Sequence, residues 1–198
     1  IDGDLATQIV GTYRLLPHER ALKHSFYSAQ EFSVGDLVRR HPSRRLLELG
    51  RSCVLPPYRG RRTIELLWQG IWAYCRQRDI DTMVGCASFP GTSPARFAQG
   101  LSFLHHFAAS TVLWDVRAIG ETAFSTDLMP AEAINQRQAL GELPPLVKGY
   151  LRLGATYARS AAVDPAFRSV DVFVTLPVEN IDARYLKHYG ENAERFAA

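Results

Sequence analysis

A chain of 198 residues, 46% hydrophobic and 22% charged with a mean hydropathy of −0.12, has the balance of an ordinary folded domain. That balance excludes fibrous and disordered classes, and no apolar run approaches the ~18 residues needed to cross a bilayer. The net charge is only +3, yet eight arginines fall within residues 39–62 against a single acid, Glu48. Such a cationic field favours an acidic partner: a carrier protein, an anionic membrane or nucleic acid. The three cysteines, Cys53, Cys75 and Cys86, fit neither a zinc pattern nor a disulfide framework, so the chemistry is expected to be metal-free. Cys75 and Cys86 read as core thiols in a reducing, cytoplasmic setting. The first residue is Ile1 and no signal-peptide pattern follows, so the chain reads as the inner part of a longer product.

In chain order, Asp2-Gly-Asp4 is a turn signal, and Gln8–Leu16 alternates as a strand closed by Pro17. Residues 18–30 read as a loop, and Gln30 or Glu31 to Arg40 as a short helix with Phe32, Leu37 and Val38 inward. Leu46–Val54 is a strand that Pro56 and Pro57 end. Arg59-Gly-Arg-Arg62 forms a cationic turn. Ile64, Leu67, Trp68, Ile71, Trp72 and Cys75 then give one apolar helix stripe, extending to about Arg78. Asp79 to Phe89 is turn and strand. Ser93-Pro94 suits the N-cap and first position of a helix to about Phe107. Thr111–Ile119 is ambiguous, with a strand as one reading. Pro144-Pro145 opens another helix that Gly154 ends. Tyr157–Val163 and Val170–Leu176 read as strands, and Asp182–Tyr189 as a short terminal helix. There is no internal repeat or linker, so residues 1–198 read as a single domain of mixed α/β or α+β class.

Strand, arginine-rich turn and helix start together make a natural phosphate seat, because the free amides and the dipole of a helix N-terminus both attract anions. Arg59, Gly60, Arg61, Arg62 and Thr63 are the candidates. Two bland readings compete: Glu48 and Arg51 as a structural ion pair, and Arg39, Arg40, Arg44 and Arg45 as a solvated face. His105-His106 reads as one surface and one core ring rather than a metal pair.

Val10-Gly-Thr-Tyr-Arg-Leu-Leu-Pro17 resembles the Gly-x-x-Arg-Leu-Leu-Pro strand of acyl-homoserine-lactone synthases, and Glu48-Leu-Gly-Arg51 has their Glu-x-x-Arg spacing. Strand, basic turn and amphipathic helix together are similar to the acyl-donor motif of Gcn5-related N-acetyltransferases (GNAT). A narrower resemblance is carried by Leu49-Gly-Arg-Ser-Cys-Val54, Thr63-Ile-Glu-Leu-Leu-Trp68, Leu143–Ala155, Asp171–Pro177 and Arg184–Gly190. These look like the L-ornithine Nα-acyltransferases of bacterial ornithine-lipid synthesis, over about Val10 to Gly190. The family's N-terminal portion is not in this sequence, and the turn Arg-Gly-Arg-Arg-Thr departs from the usual acetyltransferase glycine pattern.

The resemblance implies a GNAT fold, a twisted mixed sheet flanked by helices, and an enzyme that moves a 3-hydroxyacyl chain from acyl carrier protein to the α-amine of ornithine. The donor would be an acyl-phosphopantetheine thioester, with no tightly bound cofactor and no nucleic acid. Glu48, Arg51 and Arg14 are the candidate catalytic and acceptor residues. Cys53 and Val54, with Arg59–Thr63 and Trp68, would line the acyl and pantetheine path. Arg39, Arg40, Arg44 and Arg45 would dock the carrier. The amphiphilic product implies peripheral contact with the inner membrane. The rivals are an N-acyl amino acid or homoserine-lactone synthase, and a non-catalytic module for carrier protein or anionic lipid.

Overall fold

The computed structural model describes residues 9–182 and Tyr185, the side chains of Leu22, His24 and Arg61 excepted. The Asp2–Asp4 turn and, beyond Asp182 and Tyr185, the terminal helix lie outside the described residues. Six strands form one sheet in the order β1-β2-β3-β6-β5-β4. They are β1 (Gly11–Pro17), β2 (Leu46–Val54), β3 (Thr82–Pro90), β4 (Ala123–Ser125), β5 (Thr156–Asp164) and β6 (Ser169–Pro177). Every neighbouring pair is antiparallel except β2 with β3.

Both faces are covered, which explains why β6 reads as a continuous apolar run with all nine residues buried. On one face α3 (Arg61–Gln77), α4 (Ala98–Phe107) and α6 (Pro145–Arg152) bring Trp68, Ile71, Leu101, Leu104, Val147 and Tyr150 onto Leu47, Leu49, Met83, Val172 and Val174. On the other, α1 (His18–His24) and α2 (Val34–Arg40) set Ala21, Val34 and Leu37 with Phe26 and Phe32 against Leu46, Val84 and Phe173.

Several local expectations change. Residues 18–30 are not a loop: α1 and a 3-10 turn at Tyr27–Gln30 occupy them, because Ala21 and Phe26 are needed to cover the second face. Thr111–Ile119 is irregular rather than a strand. It leaves Val112 and Leu113 exposed and is tied down by Trp114, which stacks on His41 at 3.8 Å. Ile64, expected on the buried stripe of α3, is exposed at the helix start. Ser93 does not cap a helix through its side chain; a 3-10 turn at Pro94–Phe97 precedes α4. Helix α5 (Gln136–Glu142) has no apolar stripe to announce it and is opened by Asn135, whose side chain accepts from the Gln138 amide at 3.1 Å. Gly154 ends α6 as expected, at a φ of +92° where a side chain is strained.

Candidate active site

The feature that makes a site is where the sheet comes apart. β2 and β3 are parallel and paired only over Leu46–Thr82, Leu47–Met83 and Glu48–Val84. Beyond Glu48 and Val84 the two strands separate. Gly85 lies at the fork, packed so closely that a β-carbon there would be 2.3 Å from the Leu49 carbonyl oxygen. β2 also bulges: Thr12 pairs with Cys53 and Arg14 with Gly50, so Arg51 and Ser52 stand against Tyr13 alone. Arg51 takes a φ of +53°, a conformation non-glycine residues adopt at a cost and mostly at functional positions.

A cavity of about 430 Å³ occupies the fork. Its wall includes Arg14, Glu48, Arg51 and Cys53, four residues expected from the sequence, and Tyr13, Tyr27, Cys86, Asp164, Asp171 and Tyr150, which were not. Glu48 is 2% exposed. It does not pair with Arg51. Its Oε2 accepts the Tyr27 amide at 2.8 Å, and its Oε1 accepts the Ser28 amide at 2.7 Å and the Ser28 hydroxyl at 2.5 Å. Arg14 Nη2 lies 3.6 Å from Oε2. Glu48 therefore fastens the Tyr27–Gln30 turn to the centre of the sheet and holds Arg14 facing the cavity. Arg51 is held by rings instead, its guanidinium 5.3 Å from the Tyr27 centroid and 4.8 Å from that of Phe167. On the opposite wall Tyr13 hydrogen-bonds with Ser52 and Tyr150. Burial raises both phenols, so each remains a donor.

Cys86 packs against the core, as expected, and is also half-buried on the cavity wall. Burial pushes its thiol well up, and Asp171, Glu31 and Glu48 push it further. It thus marks the point around which the site's carboxylates gather. Glu31 is pushed to about 7 by burial, with Asp171 and Asp164 adding repulsion. The sign of the linkage follows. An acid whose folded pKa lies above its unfolded value holds its proton more tightly when folded, so its contribution is lost as pH rises from about 4.5 through about 7. The melting temperature of the wild type minus that of Glu31→Gln is expected to fall steadily between those limits. A difference independent of pH would contradict the raised Glu31.

Donor-side residues lie beyond the cavity. β2 ends at Val54, whose carbonyl accepts Arg59 Nε at 3.0 Å. Gly60 is the N-cap of α3 and supplies no side-chain acceptor, so the first turn, with Arg62 and Thr63, keeps its amides for an anion. Arg61 opens the helix. Trp68 is buried behind Tyr150, edge-on at 5.4 Å, and does not line the cavity. The other four arginines have partners within the chain. Arg39 bonds Asp36, Arg40 bonds the Leu113 and Asp115 carbonyls, and Arg45 meets Glu19 at 3.3 Å and Asp79 at 3.5 Å. Arg44 clasps Glu179 with two bonds of 2.8 and 2.9 Å, fastening the start of β2 to the turn after β6.

Among the described residues, two groups set three metal-capable atoms within 4.8 Å of one another: His105, His106 and Asp127, and Glu31, Asp164 and Asp171. In the first, both rings are part-buried and tie α4 to the following segment, His105 to Thr126 and His106 to Asp127 and the Met129 carbonyl, each at 3.1 Å. No helix of the described residues is long and apolar enough to cross a membrane.

The model of the acetyltransferase (GNAT) domain matches residues 2–69, a stretch that holds β1, β2 and the start of α3. The chain is 58% identical over 190 residues to a protein from Brucella abortus, covering 96% of this chain and 68% of that one. It is 55% identical over 196 residues to one from Agrobacterium fabrum, covering 98% and 67%. A third, from Rhizobium meliloti, is 54% identical over 199 residues, covering 100% and 67%. Each of the three is named L-ornithine N(alpha)-acyltransferase, and the chain spans about two thirds of their length. No solved structure matches. With its GNAT domain and its split mixed sheet, the chain is an N-acyltransferase and belongs to the L-ornithine Nα-acyltransferase family.

Proposed function

We propose that this chain transfers a 3-hydroxyacyl group from acyl carrier protein to the α-amine of ornithine. The separation of β2 from β3 carries the reading. An extended pantetheine arm needs an unpaired strand edge, and its phosphate needs donors at the end of that edge. The β2 edge beyond Glu48 and the open first turn of α3 meet both needs in sequence. The names of the three relatives suggest the acceptor.

In this reading the phosphate lies against Gly60, Arg62 and Thr63, with Arg59 and Arg61 adding charge, and the thioester lies by the bulge near Cys53 and Val54. Arg14 and Arg51 face the acceptor's carboxylate. The α-amine, having given one proton to water, attacks the thioester carbon. Its C–N bond forms, the negative charge on oxygen is met by backbone amides of the bulge and by the Tyr13–Tyr150 phenols, and the C–S bond then breaks. The second amine proton leaves with the thiolate as the carrier's thiol. Glu48 already satisfies three hydrogen bonds and an arginine, so its part is to hold Arg14 and the Tyr27–Gln30 turn rather than to take the proton. The Arg39–Arg45 group precedes β2, a nine-residue strand of about 30 Å. A carrier delivering its phosphate to α3 is therefore better served by Arg59 to Arg62.

Incubation with 3-hydroxyacyl carrier protein and a panel of amino acids, read by mass spectrometry, should give the ornithine amide. Amides of glycine or tyrosine without that of ornithine would reassign the acceptor, and no amide with any amine would overturn the reading. Reversing charge with Arg61→Glu and Arg62→Glu should raise the KM for the carrier-borne donor about tenfold or more, as expected for lost charge-assisted contacts. An effect confined to the amine's KM would contradict the phosphate seat.

A further inference from the structure

The cavity wall carries two cations, Arg14 and Arg51, and two acids, Asp164 and Asp171. These two acids belong to a cluster of three from separate elements, of which Glu31 does not line the cavity. Asp164 ends β5, Asp171 lies in β6, and Glu31 follows the turn that Glu48 anchors. Their oxygens come within 4.8 Å of one another. Carboxylates this close repel unless one keeps a proton, as in the hydrogen bond between Glu31 and Asp164. Asp171 is only 8% exposed, and its Oδ1 is closed off and accepts no hydrogen bond. A buried carboxylate oxygen left without a donor costs stability, and a cation brought to the cavity wall beside Asp171 would offset that cost electrostatically.

We propose that Asp164 and Asp171, with Glu31 behind them, form the seat for the side-chain ammonium of the amino-acid acceptor, and so select an acceptor carrying a second, terminal amine. This rests on the reading of the cavity as the acceptor site. An α,ω-diamino acid has a carboxylate at one end and an ammonium at the other. Arg14 and Arg51 match the first, and the three acids match the second. The α-amine between them then lies along the wall where β2 bulges. Burial raises Asp171, partly opposed by the Ser88 hydroxyl, and it raises Glu31 as well; a bound cation relieves both. Asp164 keeps its orientation because its Oδ1 accepts the amides of Ala166 at 2.7 Å and Phe167 at 2.9 Å. Discrimination follows from the same cost: an acceptor without the terminal amine leaves the acids crowded and unpaired.

Ornithine and norvaline, which share a carbon chain and differ only in the terminal amine, test this. The wild type should favour ornithine in kcat/KM by about a hundredfold, and Asp171→Asn should bring the two within about threefold, mostly by raising the KM for ornithine. Asp171→Asn should also melt higher than the wild type, since it removes repulsion, which guards against misfolding as the cause. Calorimetric binding of ornithine and norvaline to the 198-residue chain, with and without EDTA, reads the same site without turnover. Three results would overturn the proposal: equal use of norvaline by the wild type, a proportional loss of both acceptors in Asp171→Asn, or an ornithine preference that EDTA abolishes and magnesium or calcium restores. Selective ornithine binding without amide formation would uphold the seat while sinking the acylation reading. Amide formation on both amines alike would do the reverse.

Discussion

Glu48→Gln is expected to lower stability by about 2–4 kcal/mol and to raise the KM for the amine while leaving that for the thioester donor nearly unchanged. The substitution keeps the shape and removes the charge, so it would pass for mild. The hydrogen bonds say otherwise. Each Glu48 oxygen faces a backbone donor, Tyr27 on one side and Ser28 on the other. A glutamine has one oxygen and one amino group at its end, and either orientation sets that amino group against an N–H. Arg14 loses its buried counter-charge at the same time. The Tyr27–Gln30 turn carries the ring that holds Arg51 and leads into Glu31, so its release disturbs the acceptor end of the cavity first. A fall in melting temperature on the order of 5–10 °C should accompany the kinetic change. A melting temperature within about 2 °C of the wild type, with both KM values unchanged, would remove Glu48 from this role.

Gly85→Ala should be the most damaging single-methyl change in the sheet. A β-carbon 2.3 Å from the Leu49 oxygen cannot be accommodated by turning a side chain, because the obstacle is backbone. β2 and β3 would have to move apart at the point where their pairing ends. We expect a loss of about 3 kcal/mol or more, together with a loss of transfer activity, because the thioester site proposed above lies at this fork. Gly70, on α3, is a suitable control: a β-carbon there meets nothing within 4 Å, so Gly70→Ala should be neutral or slightly stabilising. Equal stability of the two variants, by thermal or urea unfolding, would contradict the crowding at Gly85.

The elements legible from sequence are those whose period or punctuation settles them. β2 was bounded by its apolar run and Pro56, β6 by an apolar run ending at Pro177, and α3 by its helical stripe. Those that were missed have identities set from outside. α1 has few apolar residues of its own and forms because the second face needs Ala21, and Thr111–Ile119 has strand-forming residues but pairs only through one bridge, Ala118 with Phe32. The site divides similarly. Arg14, Glu48, Arg51 and the α3 turn lie in motifs that can be read along the chain. Asp171 heads one of those motifs too, but its role, like that of Cys86, can not be read there, because each lies within an apolar strand where alternation marks only inward and outward. The one available signal was the charge itself: Asp171 is an acid inside an otherwise apolar run, a placement that is costly without a use. Asp164 joins it across the β5–β6 hairpin, and Glu31 only through the meeting of segments 133 residues apart in sequence.

The three-pair junction of β2 with β3 also has a mechanical meaning. Strands β1 and β2 form one panel and β3, β6, β5 and β4 another, and the hydrogen bonds between the panels are confined to one end. Elsewhere the panels are bridged by side chains of the helices above and below. An extended guest laid along the open edge would supply backbone-like donors and acceptors where the ladder stops, and would act as a temporary strut between the panels. If the thioester donor binds there, as proposed above, its loading and the stiffening of the sheet would be one event.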